Sequence, residues 1–571
     1  MTPPSQSLAE GLVLALAAAG VRDVVYCPGS RSAPLAHALH RAESAGHLRV
    51  RVRLDERAAA FVAVGLSRAG ALCPPDTLDE GGAAPLAGAP ARSGSAPVAV
   101  VTTSGGAVAE LHAGVAEASH SGIPLVVVSA DRPFEMRGVG ASQTTTQPGI
   151  FASHVRATWD VPAGTPADRR LDALVARAVA TALGRPSGAP GPVHLNVGFR
   201  DPLVPDLASA LPDLPSLPLV LPVRPAPTPW EDAVRAEPAT LVLAGDGADP
   251  AAGEWARAAG LPLLAEPSSG LTPDPAWIPH EQSLLAAPAL AGAVRQVVLT
   301  GRPTLSRPVS ALLSRDDVRI VVQSVGPGWV DVAGTAAVVV PALTTARHPA
   351  GDGRWGARWR AAADLVTTHL GGPALVDEGA APTLLSAARA VWEEASGTLL
   401  LGASNSVRAV DLVAGAPGRP RVVANRGLAG IDGTVATALG LAWGSGGAVC
   451  ALMGDLTFLH DASALTMTEG EEEPDVCLVV LDDHGGSIFA SLEQGAPALA
   501  DRYERWFATS QSASVEGLTR ASGARYLGVE TLGELRRALK EAGRGRVVVH
   551  VRVARDPEAL AAVRDCAHDA P

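Results

Sequence analysis

Two short apolar runs constrain this chain more than any other feature. Residues 448–453 (AVCALM) run into Gly454-Asp455, and residues 476–481 (VCLVVL) run into Asp482-Asp483-His484-Gly485-Gly486. Their length and composition predict strands. The segment between them has room for a crossover helix, expected over residues 461–468, and a right-handed crossover makes the two strands parallel. Both acidic tips then emerge at one carboxyl edge, where open α/β sheets bind ligands. There Asp455 and Asp483, with a backbone carbonyl near Gly485, can share one hard divalent cation whose remaining positions go to phosphate oxygens. Taken singly, Asp and Gly after a strand are ordinary turn residues. Two such tips, each beside glycine, point instead to a joint metal and diphosphate site.

A chain of 571 residues exceeds one core and divides into about three domains. Its formal charge of -12, with no basic tract, argues against nucleic acid as a partner. The five cysteines include no CxxC pair, which argues for a reducing compartment and against structural zinc. No signal peptide is visible, and the most apolar later stretch, residues 440–453, is too short and glycine-rich to span a membrane. A soluble cytoplasmic protein is expected. Lys540 is the only lysine, in an amphipathic stretch that reads as a solvated helix, so Schiff-base and P-loop chemistry have no placed lysine to use.

From the N-terminus, a helix is expected over residues 7–19 and a strand over 23–27, ending in Pro28-Gly29-Ser30-Arg31-Ser32. A strand over 49–54 ends in Asp55-Glu56 and opens a small-residue helix over 57–68. Spacing alone makes Asp55 an N-cap and Glu56 a first-turn acid. Residues 71–96 are rich in Gly, Ala, Pro and Ser and read as a flexible surface insertion. A strand over 97–102 leads into a helix running through Ser119, and a strand over 124–129 into Ala130-Asp131-Arg132. This alternation is the pattern of an α/β layer with a parallel sheet.

A proline-rich linker, residues 202–229, precedes middle strands over 240–244, 296–300 and 319–323. Gly245-Asp246-Gly247 mimics the acidic tip, but no strand ending in an Asn or Asp pair follows at the right distance, so it reads as a decoy. Arg302 and Arg307 follow the second middle strand, each by itself a solvated strand-end residue. A strand over 398–401 leads to Gly402-Ala403-Ser404-Asn405-Ser406, whose backbone donors suit diphosphate at a helix N-terminus. Asn425-Arg426-Gly427 and Gly430-Ile431-Asp432-Gly433 open a further helix, with Ile431 a core residue on its own merits.

The paired tips resemble the signature of thiamine-diphosphate enzymes, with Leu456 where a Gly is usual and Asp482-Asp483 for an Asn pair. Four further runs narrow the likeness: PGSRSAPL from Pro28, SHSGIPLVVVSADRPFEMRGVGASQTTTQPGIF from Ser119, SNSVRAVDL from Ser404 and ANRGLAGIDGTVATALG from Ala424. They resemble the 2-succinyl-5-enolpyruvyl-6-hydroxy-3-cyclohexene-1-carboxylate synthases, the MenD family of menaquinone biosynthesis.

The resemblance implies an α/β fold of three doubly wound parallel-sheet domains: pyrimidine-binding (residues 1–200), central Rossmann-like (201–365) and diphosphate-binding (366–571). It implies thiamine diphosphate held by Glu56, Gly402, Ser404, Ile431, Gly454, Asp455, Asp483 and Gly485. Mg2+ or Mn2+ would sit on Asp455, Asp483 and Gly485. Glu56 would be the catalytic acid on the aminopyrimidine, its proton affinity raised by an apolar pocket, and Ile431 the wedge that bends the cofactor. The implied substrates are 2-oxoglutarate and isochorismate, both dicarboxylates that suit fixed bidentate cations. Their contacts would be Arg31, Arg132, Arg307, Arg408 and Arg426, helped by Ser30, Ser32, Gln143, Ser404 and Phe489. Ser306 stands where the family can carry lysine. Active sites would lie between subunits of a homodimer or homotetramer. The rival readings are an acetolactate-synthase-like carboligase and a non-catalytic paralogue serving as a binding module.

Overall fold

The computed structural model describes residues 3–72, 95–206, 208–223, 225–325, 328–415 and 420–568. Most of the insertion expected over 71–96 lies outside the described residues. The chain is α/β, built on three all-parallel sheets. The first holds β1 (Asp23–Tyr26), β2 (Arg49–Val52), β3 (Val98–Thr102), β4 (Leu125–Asp131), β5 (Thr158–Val161) and β6 (Val193–Gly198), in the order β2-β1-β3-β4-β6-β5. The second holds β7 (Thr240–Ala244), β8 (Leu263–Ala265), β9 (Gln296–Thr300), β10 (Arg319–Gln323) and β11 (Ala336–Val340), ordered β11-β10-β9-β7-β8. The third holds β12 (Thr398–Leu401), β13 (Arg421–Ala424), β14 (Val449–Gly454), β15 (Val476–Asp482), β16 (Arg525–Val529) and β17 (Arg546–Arg552), ordered β13-β12-β14-β15-β17-β16.

Central strands such as β3, β4 and β7 are buried along their whole length, as sheets covered on both faces require. In every sheet the first strand has its successor on one side and the third strand on the other. Each sheet therefore has one switch point, at β1/β3, β7/β9 and β12/β14, and a crevice beyond its strand ends.

Two compact units emerge. One comprises Met1–Val223, Gly427–Gly447 and Asp461–Asp475; the other comprises Arg224–Arg426, Ala448–His460 and Val476–Pro571. Inside the first unit the Glu56–Leu72 helix packs on the Thr434–Ser445 helix, and both need small residues where they cross. A Cβ on Gly65 would sit 2.2 Å from the Thr437 carbonyl oxygen, and one on Gly440 2.1 Å from that of Val62. Such helices are buried nearly all round, which is why neither shows a strong polar face.

Two expected helices differ. The crossover expected over 461–468 instead starts at the acidic tip, as a helix over Asp455–Asp461 followed by a 3-10 turn over Ala462–Leu465. Asp455 in the first turn favours this start through the helix dipole, and its Oδ1 accepts from the Leu456 N–H at 2.8 Å. The helix expected through Ser119 is split into Gly106–Glu110 and His112–Ser121, with buried Leu111 bonded back to Val108 in a tighter i to i+3 turn.

Candidate active site

In the second unit, three neighbouring loops build one constellation. β14 and β15 pair in parallel, with Gly454 opposite Leu481, so both acidic tips leave the same sheet edge as their spacing implied. Asp455 is 5 % exposed, and its proton affinity is pushed up to about 7 by burial and by the neighbouring Asp483, against the pull of the Leu456 and Gly485 N–H groups. Burial likewise raises Asp483, with Ser487 and Arg555 opposing. Two buried carboxylates, one raised by the charge of the other, favour an added counter-charge. A divalent cation is the natural one. Among the described residues no cluster of three or more His, Cys, Asp or Glu could hold a metal. A set of two carboxylates and a carbonyl suits a cation that keeps oxygen positions for phosphate.

The β12 loop leads to an uncapped helix start. Gly402 donates to the Leu452 carbonyl at 2.8 Å, and a Cβ there would lie 3.0 Å from the Met453 Cβ, so the loop hugs β14. Ser404 takes φ 72° and ψ -134°, a conformation that L residues rarely hold and that is stored at ligand clamps. It caps nothing with its side chain, leaving the first N–H groups of the Asn405–Val413 helix for an anion. Asn405 Nδ2 donates to Ser487 Oγ at 2.8 Å, joining this loop to the one after β15. These donors and acids fit a magnesium diphosphate.

Asp482 does something else. Its Oδ2 lies 2.8 Å from His550 Nε2 and its Oδ1 accepts from the His484 N–H at 3.0 Å, and the His550 bond holds its carboxyl below the usual range. Gly485 sits at φ 130°, where a Cβ would lie 2.4 Å from the Ala508 carbonyl oxygen.

Of the arginines expected at the substrate in this unit, Arg408 and Arg426 come together. Burial and the Arg426 guanidinium lower the proton affinity of Arg408, whose Nη1 donates to the Ser404 carbonyl at 2.7 Å. Arg426 is buried, donates to Thr304 Oγ1 at 2.7 Å and keeps a buried Nε without a partner. Arg307 is not brought to them: 71 % of its side chain is exposed and it pairs with Glu493 at 3.0 Å. Phe489 packs on Phe507, ring centroids 5.8 Å apart. Sequence reasoning missed Glu266, a buried acid raised to about 8 by burial, which accepts from the Leu305 N–H at 2.7 Å and faces Arg426. Nothing in its local sequence marks it.

In the first unit, Arg31, Arg132 and Gln143 gather at the β1/β3 switch point. Arg132 donates to the Gln143 carbonyl at 2.7 Å and to Ser104 Oγ, and its proton affinity is lowered by burial and by Arg31. Arg31 donates to the Phe199 carbonyl at 2.9 Å and keeps a free, buried Nε. Gln143 holds φ 54° and donates to the Ser104 carbonyl at 2.9 Å. Ser30 is exposed, whereas Ser32 is fully buried, its hydroxyl engaged by the Gly29 carbonyl and Tyr26 OH. Asp55 accepts from the Ala58 N–H at 3.0 Å and so performs the capping. The proton affinity of the next residue, Glu56, is raised chiefly by burial, against a bond from its own backbone N–H, with Asp55 and Glu110 adding to the rise. The adjacent Arg57 donates to fully buried Asp461 at 3.1 Å, which also accepts from the Ala436 N–H. Ile431 is half-buried rather than a core residue.

A raised glutamate heads one helix and an acid pair stands beside an uncapped helix start, and the family comparisons make the chain a thiamine-pyrophosphate enzyme. The thiamine pyrophosphate enzyme N-terminal TPP binding domain matches residues 6–73 and 75–152, and the C-terminal TPP binding domain matches residues 404–553. Among curated relatives, the 2-succinyl-5-enolpyruvyl-6-hydroxy-3-cyclohexene-1-carboxylate synthase of Kineococcus radiotolerans is 46% identical over 97% of this chain and 96% of its own. Proteins of the same name from an Arthrobacter species and from Paenarthrobacter aurescens are 42% and 43% identical, over 94% and 95% of this chain and 87% and 93% of theirs. The chain belongs to this synthase family.

Proposed function

We propose that the protein decarboxylates 2-oxoglutarate and joins the remaining four-carbon unit to isochorismate, forming 2-succinyl-5-enolpyruvyl-6-hydroxy-3-cyclohexene-1-carboxylate for menaquinone biosynthesis. The observation that carries this reading is the Asp455–Asp483 pair beside the uncapped helix start at Ser404, in a chain of this family. Thiamine diphosphate, when bound, supplies a carbon nucleophile that adds to the 2-oxo acid and keeps the bonding electrons as carbon dioxide leaves.

Asp455, Asp483 and the Gly485 carbonyl hold Mg2+ or Mn2+, and the backbone from Gly402 to Asn405, with Gly454 beside it, receives the diphosphate. Glu56, its proton affinity raised by burial, shares a proton with a ring nitrogen of the aminopyrimidine, and Ile431 gives the cofactor an apolar support. Arg408 and Arg426 bind carboxylate, Ser404 adds a hydrogen bond and Phe489 an apolar wall. Arg307 joins them by exchanging Glu493 for a substrate carboxylate. Arg31, Arg132, Gln143 and Ser30 form a second anion-binding group, with Ser32 shaping the turn that carries Arg31.

We further propose homodimers or homotetramers in which the Glu56 half-site of one copy completes the metal half-site of another, working in the cytoplasm. No helix among the described residues is long and apolar enough to cross a membrane.

Loss of isochorismate, followed while 2-oxoglutarate, thiamine diphosphate and the metal are each omitted in turn, tests the reading. Consumption should require all three. Decarboxylation of 2-oxoglutarate that leaves isochorismate untouched would show that the acceptor is wrong.

A further inference from the structure

Asp482 and Asp483 are neighbours in sequence with opposite duties. Asp482 closes β15 and bonds His550 on β17, whereas Asp483, just past the strand, lies close enough to Asp455 to raise its proton affinity. On the β17 side the register explains what Asp482 meets. Asp482 is opposite Arg552, and His550 lies two residues earlier on β17; His550 is opposite Gly528, and Tyr526 lies two residues earlier on β16. Each step is a diagonal pair on one face, within reach of long side chains. His550 Nε2 stands 2.8 Å from Asp482 Oδ2, and Tyr526 OH stands 2.9 Å from His550 Nδ1.

The donors and acceptors can be assigned from chemistry. A carboxylate only accepts, so Nε2 carries a proton and donates; Nδ1 of the neutral ring then accepts from the tyrosine O–H. The other oxygen of Asp482 accepts from the N–H of His484, which holds φ 61°, the left-handed conformation that a non-glycine residue adopts at a cost. From the other flank Arg555 donates to the carbonyls of Asp483, at 2.7 Å, and His484. The turn bearing the proposed cation ligands Asp483 and Gly485 is thus held from two sides.

We infer that Asp482, His550 and Tyr526 form a positioning chain across β15, β17 and β16 that fixes the metal-bearing turn, with Asp482 itself outside the cation's ligand set. This deepens the functional reading above and rests on it. It also accounts for aspartate where thiamine-diphosphate enzymes usually carry asparagine. An amide has one oxygen for two donors, the His550 Nε2–H and the His484 N–H, and would turn its NH2 toward one of them. Partners that orient ligating groups are worth about 10- to 100-fold in metal affinity.

The test is a Mn2+ titration of the full-length protein with thiamine diphosphate present, read by the loss of the free-ion electron paramagnetic resonance signal and by circular dichroism of the bound cofactor. His550→Ala should weaken Mn2+ binding by about tenfold or more. His550→Gln, whose amide can donate to Asp482 and accept from Tyr526, should recover most of it, and Tyr526→Phe should fall between wild type and His550→Ala. Equal binding by wild type and His550→Ala overturns the chain. So does weak binding in His550→Ala that His550→Gln fails to rescue while both variants melt like wild type. If wild type binds neither cofactor nor metal, the thiamine-diphosphate reading falls first and takes this inference with it.

Discussion

The second and third sheets present the same local device at the same topological place, with opposite results. At the β7/β9 switch point, Gly245-Asp246-Gly247 meets Arg302 in an antiparallel bridge, Asp246 and Arg302 exchanging backbone bonds of 3.2 and 2.9 Å. A Cβ on Gly245 would lie 2.1 Å from the Arg302 carbonyl carbon. Backbone fills the crevice. At the β12/β14 switch point, Gly402 draws its loop against β14 and Asn405 ties that loop to Ser487 after β15, while the helix start at Ser404 has no side-chain cap and Asp483 raises the proton affinity of Asp455. A glycine beside an acid at a strand end is therefore not itself a cofactor signature. Its meaning depends on whether the facing loop satisfies it.

Exchanging the equivalent acids breaks the comparison most sharply. Asp455→Asn removes one of two carboxylates from the cation and should lower metal-dependent cofactor affinity by more than about a thousandfold, roughly 4 kcal/mol. Asp246→Asn, in the closed crevice, should leave that affinity unchanged. Calorimetric titration of both variants decides it; equal losses would mean that the second crevice also takes part. Next in size, Arg426→Ala should cost about 2–3 kcal/mol in kcat/KM through lost bonds to a charged substrate, with cofactor affinity intact. Steady-state kinetics paired with cofactor titration separate the two quantities, and unchanged kinetics would remove Arg426 from the site. Smaller again is Gly245→Ala, whose methyl collides with backbone. It should lower stability by about 1–3 kcal/mol in denaturant unfolding while cofactor affinity holds.

The same contrast shows what the sequence could carry. The parallel β14/β15 pair and its two acidic tips were legible because strand runs and their terminal residues are local. So was the decoy, from the absence of a following strand that ends in an Asn or Asp pair. The helix expected over 461–468 misplaced the start, because helix and turn residues overlap at Asp455, and only the dipole and the Leu456 bond decide between them. Non-local facts were out of reach. Asp482 is taken by a histidine 68 positions away, Glu266 reaches the Leu305 N–H from 39 positions away, and Arg307 faces Glu493 because of where two loops come to rest. Ser32 looked like a substrate contact, yet its hydroxyl closes its own turn through the Gly29 carbonyl.

The last expected effect concerns pH, and its response to cofactor loading distinguishes a site built for a cation from a core acid that is merely buried. Asp455 has an ordinary value of 3.8 and is raised to about 7 in the folded chain. Between those values the folded state binds more protons than the unfolded one, so stability falls as pH rises from about 4 to about 7 and levels off above. Asp461, also raised to about 7, contributes the same slope from a different place. Its carboxylate is occupied by Arg57 and the Ala436 N–H. Metal with thiamine diphosphate should therefore abolish the Asp455 share and leave the Asp461 share. Melting temperatures of wild type and Asp455→Asn at pH 5 and pH 7.5 should show a steeper fall in cofactor-free wild type, and the two slopes should converge when wild type is loaded. If loading leaves the wild-type slope unchanged, Asp455 titrates as an ordinary buried acid and the open crevice loses its distinction from the closed one.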